Sequence, residues 1–227
     1  MASYADLLKK KKNFILIGET GSGKTEIALN TAVMLNSQTD RSVHIFDLDQ
    51  TKAMFRARDA ENEMTEKGIS MHYMPQLLDT PVMVNGIIPH IVGKNSACVL
   101  DVGGNENAAR MVGCLSDYLN GESTAAVYVI NPFRPWSDSL EEINHTLFSV
   151  KNACHLEKLY FTANPNVGQE TDADDIADGL ARLLSHIPAE DLTGIFIKED
   201  LVSAGIVFSG LEFIPLHLYL TYPWNNN

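Results

Sequence analysis

Four residues near the start of the chain have the types and spacing of the pattern G-x-x-x-x-G-K-[ST], namely Gly18, Gly23, Lys24 and Thr25. Glycines let successive backbone N–H groups converge on one anion, and the helix that should follow adds its positive N-terminal end. The apolar run 14–17 precedes the pattern, as the strand–loop–helix context requires. The residues therefore predict a loop that binds phosphate; a glycine-rich turn that binds nothing is the alternative.

A nucleotide triphosphate and Mg²⁺ are the ligands that this loop predicts. We expect the ammonium of Lys24 on the β and γ phosphates, where it assists catalysis, and the hydroxyl of Thr25 on the metal ion. The predicted nucleotide-binding residues are Gly18, Glu19, Thr20, Gly21, Ser22, Gly23, Lys24, Thr25 and Glu26, joined by Gly103 from a later loop.

Two further strand ends carry carboxylates. Asp101 ends the apolar run 97–101 and precedes two glycines, which favours a metal-binding role, although a strand-terminal Asp can also cap the next helix. Asp47 and Asp49 lie two residues apart on an extended segment, so both can project toward Mg²⁺ or an attacking water. Solvated turn residues are the alternative for this pair.

Basic residues give weaker signals. Arg56 and Arg58 could contact phosphate, but a surface pairing with Asp59 or Glu61 explains them equally well. The lysines at 9–12 could touch acidic lipid or nucleic acid, although a solvated helix end before the first strand is the simpler interpretation.

Strands and helices alternate along the whole sequence, which predicts an α/β fold: a three-layer, mostly parallel, doubly wound sheet with P-loop NTPase topology. Residues 1–227 are expected to form a single nucleotide-binding domain, with 1–12 as an N-terminal extension and 68–94 as an irregular insertion containing one strand and one helix. The expected strands are 14–17, 43–46, 97–101, 125–130, 158–162 and 194–197. The expected helices are 26–36, 53–66, 108–119, 137–151, capped by Ser137 or Asp138, and 172–186.

Composition narrows the function classes. The formal net charge of −12 argues against a broad nucleic-acid or anionic-membrane surface. The three cysteines are far apart in sequence, so no disulfide framework or zinc site is readable from them. No apolar run has the length of a membrane span, and no signal peptide is apparent, so a soluble cytoplasmic protein is expected.

The loop at 18–25, the strand end Asp47-Leu48-Asp49 and the sequence Asp101-Val102-Gly103-Gly104 together resemble the CobQ/CobB/MinD/ParA branch of P-loop NTPases. The segments 131–135 and 164–171 extend the resemblance to uncharacterised ATP-binding members. It implies that Asp49 positions the attacking water, that Asp47 lies near the metal, and that Asp101 holds Mg²⁺ through water. It also implies that ATP is the nucleotide, with GTP possible, and that a homodimer forms. By the same resemblance Asn164 is a nucleotide-binding residue that contacts the base, where a plain turn residue is the alternative.

Glu19 departs from that resemblance. Branch members that dimerise over ATP, such as MinD and ParA, carry a lysine at this early position of the loop, and a glutamate would repel a partner's phosphates. Three functions therefore stay open. The leading one is an ATPase switch that acts on a partner protein; the others are a synthetase or kinase that resembles dethiobiotin synthetase, and a nucleotide-binding module without turnover.

Overall fold

A single parallel sheet runs through the part of the chain that the structure describes. The structure is a computed structural model and describes residues 2–49, 57–74, 84–203 and 211–220. The strands are β1 (Asn13–Ile17), β2 (Ser42–Asp47), β3 (Ser70–His72), β4 (Ser96–Asp101), β5 (Thr124–Ile130), β6 (Tyr160–Ala163), β7 (Leu192–Lys198) and β8 (Phe213–Leu216). Their order is β3-β2-β4-β1-β5-β6-β7-β8, and every pairing is parallel.

Helices cover both faces of this sheet. They are α1 (Tyr4–Lys10), α2 (Lys24–Asn36), α3 (Glu61–Glu66), α4 (Ile87–Val92), α5 (Glu106–Gly113), α6 (Ser116–Leu119), α7 (Leu140–Cys154), α8 (Ala173–Leu184) and α9 (Glu199–Ser203). One apolar cluster joins the sheet to α1, α2 and α3, and a second joins its other face to α4, α5, α6, α7 and α8. The expected three-layer, doubly wound α/β fold is confirmed.

The strand order explains where a ligand would bind. Strand β1 lies between β4 and β5, and the chain builds one half of the sheet before it crosses to the other. In open parallel sheets, ligands bind at the carboxyl ends of the strands near such a reversal. The central strands are buried on both faces and are largely apolar. The polar residues of the predicted site therefore lie at the carboxyl ends of these strands or in the segments that follow them.

The observed bounds of the helices differ from three of the expectations from sequence. The helix expected over 108–119 is divided into α5 and α6, where Gly113 lets α5 approach α7 so closely that a Cβ would lie 2.5 Å from the carbonyl oxygen of Ala153. The cap of α7 is Ser139, whose Oγ accepts from the N–H of Glu142 at 3.2 Å, whereas Ser137 ends a short 3₁₀ turn. Of the helix expected over 53–66, residues 53–56 lie outside the described part, and a 3₁₀ turn at Ala57–Ala60 leads into α3.

The described residues of the insertion expected over 68–94 include β3 and α4. Its residues 75–83 lie outside the described part of the chain. None of the described helices is long and apolar enough to cross a membrane.

Candidate functional site

The loop between β1 and α2 has a conformation that depends on glycine. Gly18, Gly21 and Gly23 all have positive φ, of 140°, 79° and 91°. A Cβ on Gly18 would lie 2.5 Å from the carbonyl oxygen of Val129 on β5, and one on Gly23 would overlap the side-chain amide of Asn164. The loop is therefore folded tightly against the ends of β5 and β6, and its open side faces away from them.

Lys24 lies across this loop. Its Nζ donates to the carbonyl oxygen of Glu19 at 2.7 Å, and the residue is only 2% exposed. Helix α2 begins at Lys24 without a side-chain hydrogen bond to its first turn, because its N-cap is Gly23. The Oγ of Ser22 is buried and has no hydrogen-bond partner among the described residues. The loop thus presents a cation, a helix N-terminus and a hydroxyl to one small region, as expected for a phosphate site.

Glu19 lies beside that cation. Burial raises the pKa of its carboxyl group, and the ammonium of Lys24 opposes the rise. A negative charge at this position weakens the attraction of the loop for phosphate, whereas the glycines and Lys24 strengthen it. Thr20 and Gly21 are exposed, and Thr25 is buried at the second position of α2.

The end of β2 carries a buried ion pair. Asp47 has no exposed surface; its Oδ1 accepts from the N–H of Asp49 at 3.0 Å, and its Oδ2 accepts from Nε of Arg58 at 2.9 Å. Burial raises the pKa of Asp47, and the charge of Arg58 opposes that rise. Each oxygen of Asp47 thus has a protein partner, and its expected roles at the metal and in catalysis stay predictions.

Arg58 therefore has a partner that the sequence analysis did not name. Its guanidinium also lies 5.0 Å from the ring centroid of Tyr73, and its Nη1 donates to the carbonyl oxygen of Met74 at 3.4 Å. These contacts hold Arg58 at the end of β2, where it positions Asp47. Arg56, the other arginine considered, lies outside the described residues.

The loop after β4 contacts both the phosphate loop and the segment after β2. Asp101 is 1% exposed and is paired in register with both Leu16 on β1 and Asp47 on β2. A Cβ on Gly103 would lie 2.9 Å from Oδ1 of Asp49, and one on Gly104 would lie 2.5 Å from the amide nitrogen of Thr20. The two glycines thus bring the loop into contact with both neighbouring strand ends. Thr25 and Asp101 carry the hydroxyl and carboxylate oxygens that Mg²⁺ prefers as ligands, so these residue types fit a Mg²⁺ site.

Asn164 and Asn131 hold the opposite side of the phosphate loop. Nδ2 of Asn164 donates to the carbonyl oxygen of Ser22 at 2.9 Å, and Nδ2 of Asn131 donates to that of Asn166 at 2.8 Å and of Gly21 at 3.3 Å. Asn164 therefore positions the loop, and its contact with a base stays a prediction. A small cavity of about 70 Å³ opens beside it, lined by Gly23 and the apolar side chains of Ile176, Ile197 and Leu216, among others.

Arg134 is a residue of the site that sequence reasoning missed. Its Nε donates to the carbonyl oxygen of Gly21 at 2.9 Å, which places a guanidinium at the mouth of the phosphate loop. Arg134 follows the carboxyl end of β5 by four residues, and this position is the sequence feature that could have indicated a site residue. The prolines on either side of it indicate only a turn.

Glu26 joins the start of α2 to the chain that follows β8. Its two carboxylate oxygens accept from the N–H groups of Tyr219 and Leu220 at 3.0 and 2.9 Å. Burial raises the pKa of Glu26 to about 7, and these two hydrogen bonds oppose the rise. Glu26 also lines the cavity beside Gly23 and Asn164, and its expected contact with nucleotide stays a prediction.

Comparison with known proteins gives similarity to solved structures only. No family model matches the chain, and no curated protein matches it. Cell division protein FtsY from Thermotoga maritima is 18% identical, with a TM-score of 0.47 over 78% of this chain and 60% of that one. FlhF complexed with GMPPNP and Mg²⁺ is 13% identical, with a TM-score of 0.46 over 80% of this chain and 66% of that one. Signal recognition particle 54 kDa protein from Aeropyrum pernix K1, in complex with GDP, is 12% identical, with a TM-score of 0.37 over 86% of this chain and 40% of that one.

The chain thus spans between 40% and 66% of the length of these three proteins. At such identities and TM-scores the likeness concerns the overall fold, and it carries no argument about the nucleotide or the reaction. The evidence for the fold and for the loop geometry is the structure of this chain, which has an α/β sheet with a P-loop after its central strand β1. The narrower resemblance to the CobQ/CobB/MinD/ParA branch is not established by these matches.

Proposed function

We propose that this chain is a Mg²⁺-dependent nucleoside triphosphatase of the MinD/ParA-like class, working as a single cytoplasmic domain that switches a partner protein, with ATP as its nucleotide. One observation carries the proposal. The loop after β4 contacts both Thr20 of the phosphate loop and Asp49 after β2, so the loops that follow β1, β2 and β4 meet at this site. A site that only bound phosphate would not need carboxylates at the ends of two of those strands.

Each residue has a role that follows from its place. The N–H groups of the loop and the ammonium of Lys24 hold the β and γ phosphates, and in doing so Lys24 gives up its contact with the Glu19 carbonyl. Thr25 and Asp101 would hold Mg²⁺, which neutralises phosphate charge when it is bound. Asp49, fixed by its N–H on Asp47, orients the attacking water.

The switch would act through Gly103 and Gly104. A γ phosphate at the loop lies next to Thr20, and the backbone of Gly104 is packed on Thr20. Loss of that phosphate therefore frees the loop after β4 to move, and this loop leads directly into α5. We place the partner-binding surface on that side of the molecule.

The test measures nucleotide binding and phosphate release for the wild type and for Lys24→Ala. Each measurement is made with ATP and with GTP. Lys151→Ala, on the exposed face of α7, is the matched control. Loss of a charge-assisted hydrogen bond worth about 1.5–3 kcal/mol predicts affinity reduced roughly ten- to hundredfold in Lys24→Ala alone. Phosphate release that is independent of Mg²⁺, or unchanged by Lys24→Ala, would overturn the proposal.

A second candidate rests on Glu19. Its carboxylate takes the place of the lysine that would bridge two subunits, so the site is also compatible with a synthetase or kinase that resembles dethiobiotin synthetase. Screening small carboxylates for stimulation of ADP formation separates the two. A flat response supports the switch, and stimulation by one class of acid supports the synthetase. Tight Mg²⁺-dependent binding with the triphosphate intact after long incubation identifies a binding module without turnover.

A further inference from the structure

Three histidines come together at the edge of the sheet that β3 forms. His44 lies on β2, His72 ends β3, and His90 lies on α4. One ring nitrogen from each lies within 4.8 Å of the others. The ring centroids of His44 and His90 are 3.9 Å apart, and that of His72 is 5.2 and 5.4 Å from them. Three separate elements thus contribute imidazoles to one small volume.

Hydrogen bonds determine which nitrogen of His44 is available. The Oγ of Ser42 lies 2.9 Å from Nε2 of His44 and 3.2 Å from the carbonyl oxygen of Asn95. Because the carbonyl can only accept, the hydroxyl donates to it and accepts from Nε2–H of His44. The lone pair of His44 is therefore on Nδ1, which lies 2.9 Å from Nε2 of His72. A ligating histidine whose second nitrogen donates to a fixed acceptor has the arrangement found at metal sites.

We propose that His44, His72 and His90 bind a divalent transition-metal ion, with Zn²⁺ the ion that this donor set favours. His44 coordinates through Nδ1 and His72 through Nε2. Three imidazoles suit Zn²⁺ and its neighbours in the first transition series, and they do not suit Mg²⁺, which requires oxygen ligands. The site is therefore chemically distinct from the one predicted at Thr25 and Asp101.

The geometry needs only small side-chain movements. With Zn–N distances of about 2.0–2.1 Å, the nitrogens of a tetrahedral site lie about 3.4 Å apart, whereas here they lie within 4.8 Å. The His44 to His72 separation is already shorter than that value, and its hydrogen bond is exchanged for two bonds to the metal. Phe46 stacks on His72, with ring centroids 4.6 Å apart, and holds its ring in place.

Three protein ligands leave a fourth position open. His72 and His90 are both partly exposed, so water or an external ligand can reach it. Binding joins α4 to β2 and β3, two strands at one edge of the sheet. We therefore expect the metal to stabilise this edge.

The test uses protein without an affinity tag, treated with chelator and then titrated with Zn²⁺ in excess Mg²⁺, so that oxygen-ligand sites are occupied. The wild type should bind one equivalent, and Co²⁺ should give visible absorption bands of the intensity typical of four-coordinate cobalt. His90→Ala and His72→Ala should each weaken Zn²⁺ binding at least tenfold, while His145→Ala, an exposed histidine of α7, leaves it unchanged.

Ser42 gives a second arm of the test, because it acts only through His44. Ser42→Ala should weaken Zn²⁺ binding about tenfold, and Ser42→Thr should restore it. Thermal unfolding of each variant without metal shows whether the fold is retained. The proposal is overturned if the wild type binds no equivalent of Zn²⁺. It is also overturned if the wild type, His72→Ala and His90→Ala bind Zn²⁺ with equal affinity. Both outcomes are independent of whether the protein hydrolyses nucleotide.

Discussion

Gly23 holds the phosphate loop in a conformation that other residues adopt at a cost. Its φ is 91°, and a Cβ would overlap Nδ2 of Asn164, the group that binds the carbonyl oxygen of Ser22. Two penalties therefore coincide at one position, one from the backbone and one from packing. Gly68 has a similar φ of 78° and open space around it, so it isolates the first penalty.

We predict that Gly23→Ala abolishes nucleotide binding, whereas Gly68→Ala lowers the free energy of unfolding by about 1–2 kcal/mol and leaves nucleotide affinity unchanged. The physical reason is that alanine at position 23 must displace Asn164 and with it the loop. Nucleotide titration and chemical denaturation of both variants measure the two effects. Equal losses of affinity in the two variants would contradict the assignment of Asn164 as the residue that positions the loop.

Arg58 and Asp47 form a largely buried ion pair, with side chains 12% and 0% exposed. Removing Arg58 leaves a buried carboxylate without its countercharge, so Arg58→Ala should cost about 3–5 kcal/mol. Arg182, paired with Asp178 on the exposed side of α8, is the control, and Arg182→Ala should cost less than about 1 kcal/mol. Chemical denaturation measures both.

A second substitution tests the origin of that cost. If the charge of Asp47 is responsible, Asp47→Asn in the Arg58→Ala background should recover part of the lost stability, since it removes the buried charge. A double variant that is less stable than Arg58→Ala would show that the contacts of Arg58 with Tyr73 and Met74 matter more than the pair.

At the scale of elements, α2 joins the phosphate loop to the end of the described chain. Glu26 binds the N–H groups of Tyr219 and Leu220, and Asn30, one turn later, both donates to and accepts from the backbone of His217. The helix thus offers the segment after β8 a set of side-chain hydrogen bonds in place of a neighbouring strand. The buried carboxylate of Glu26 makes this attachment sensitive to pH.

The direction in which stability changes with pH follows from the raised pKa of Glu26, which is about 7 in the folded protein against a usual value of 4.5. Between these values the folded state keeps the proton and the unfolded state loses it, so the contribution of Glu26 to stability is present at low pH and is lost as pH rises toward 7. We predict that the unfolding free energy of the wild type falls across this window relative to Glu26→Gln, by an amount on the order of 3 kcal/mol.

Denaturation of both proteins at several pH values between 4.5 and 7.5 measures that difference, and other titrating groups cancel in the comparison. Glu141→Gln, an exposed residue in the first turn of α7, should keep the wild-type slope. Parallel curves for the wild type and Glu26→Gln would contradict the pKa shift.

The sequence predicted the strands well and the side-chain partners poorly, for a physical reason. Runs such as 97–100 are apolar throughout, which is typical of strands that are buried on both faces of a parallel sheet, so β4 and its neighbours were recognisable from local sequence. The pairing of Arg58 with Asp47, 11 residues away, depends on how α3 and β3 pack. The contact of Asn164 with Ser22 spans 142 residues. No local pattern carries that information.

The same limit applies to the three histidines. Each is a single polar residue in its own segment, with no metal-binding spacing, since His44 and His72 are 28 residues apart. Only the pairing of β2 with β3 and the packing of α4 bring them together. The phosphate loop was predictable because all its chemistry lies within eight consecutive positions.

For the molecule as a whole, the site collects loops from both halves of the sheet. Loops after β1, β2 and β4 meet through Gly103 and Gly104, and those after β5 and β6 meet the phosphate loop through Asn131 and Asn164. A ligand bound there would contact loops that the unfolded chain does not hold together. Because it binds only the folded protein, its binding free energy adds to the stability of the entire fold.

We therefore predict that ATP with Mg²⁺ raises the thermal unfolding midpoint. At a ligand concentration of 100 times Kd the gain is about 2.7 kcal/mol, which corresponds to roughly 5–10 °C for a chain of this size. Lys24→Ala should show at most about half of that shift at the same nucleotide concentration, because a ten- to hundredfold weaker affinity leaves a gain of about 0.4–1.4 kcal/mol, and Lys151→Ala should show the full shift. Differential scanning fluorimetry over a range of nucleotide concentrations, with and without Mg²⁺, measures this. A shift of equal size in Lys24→Ala would show that the nucleotide binds elsewhere on the molecule, and the absence of any shift in the wild type would contradict the assignment of the loop at 18–25 as a nucleotide site.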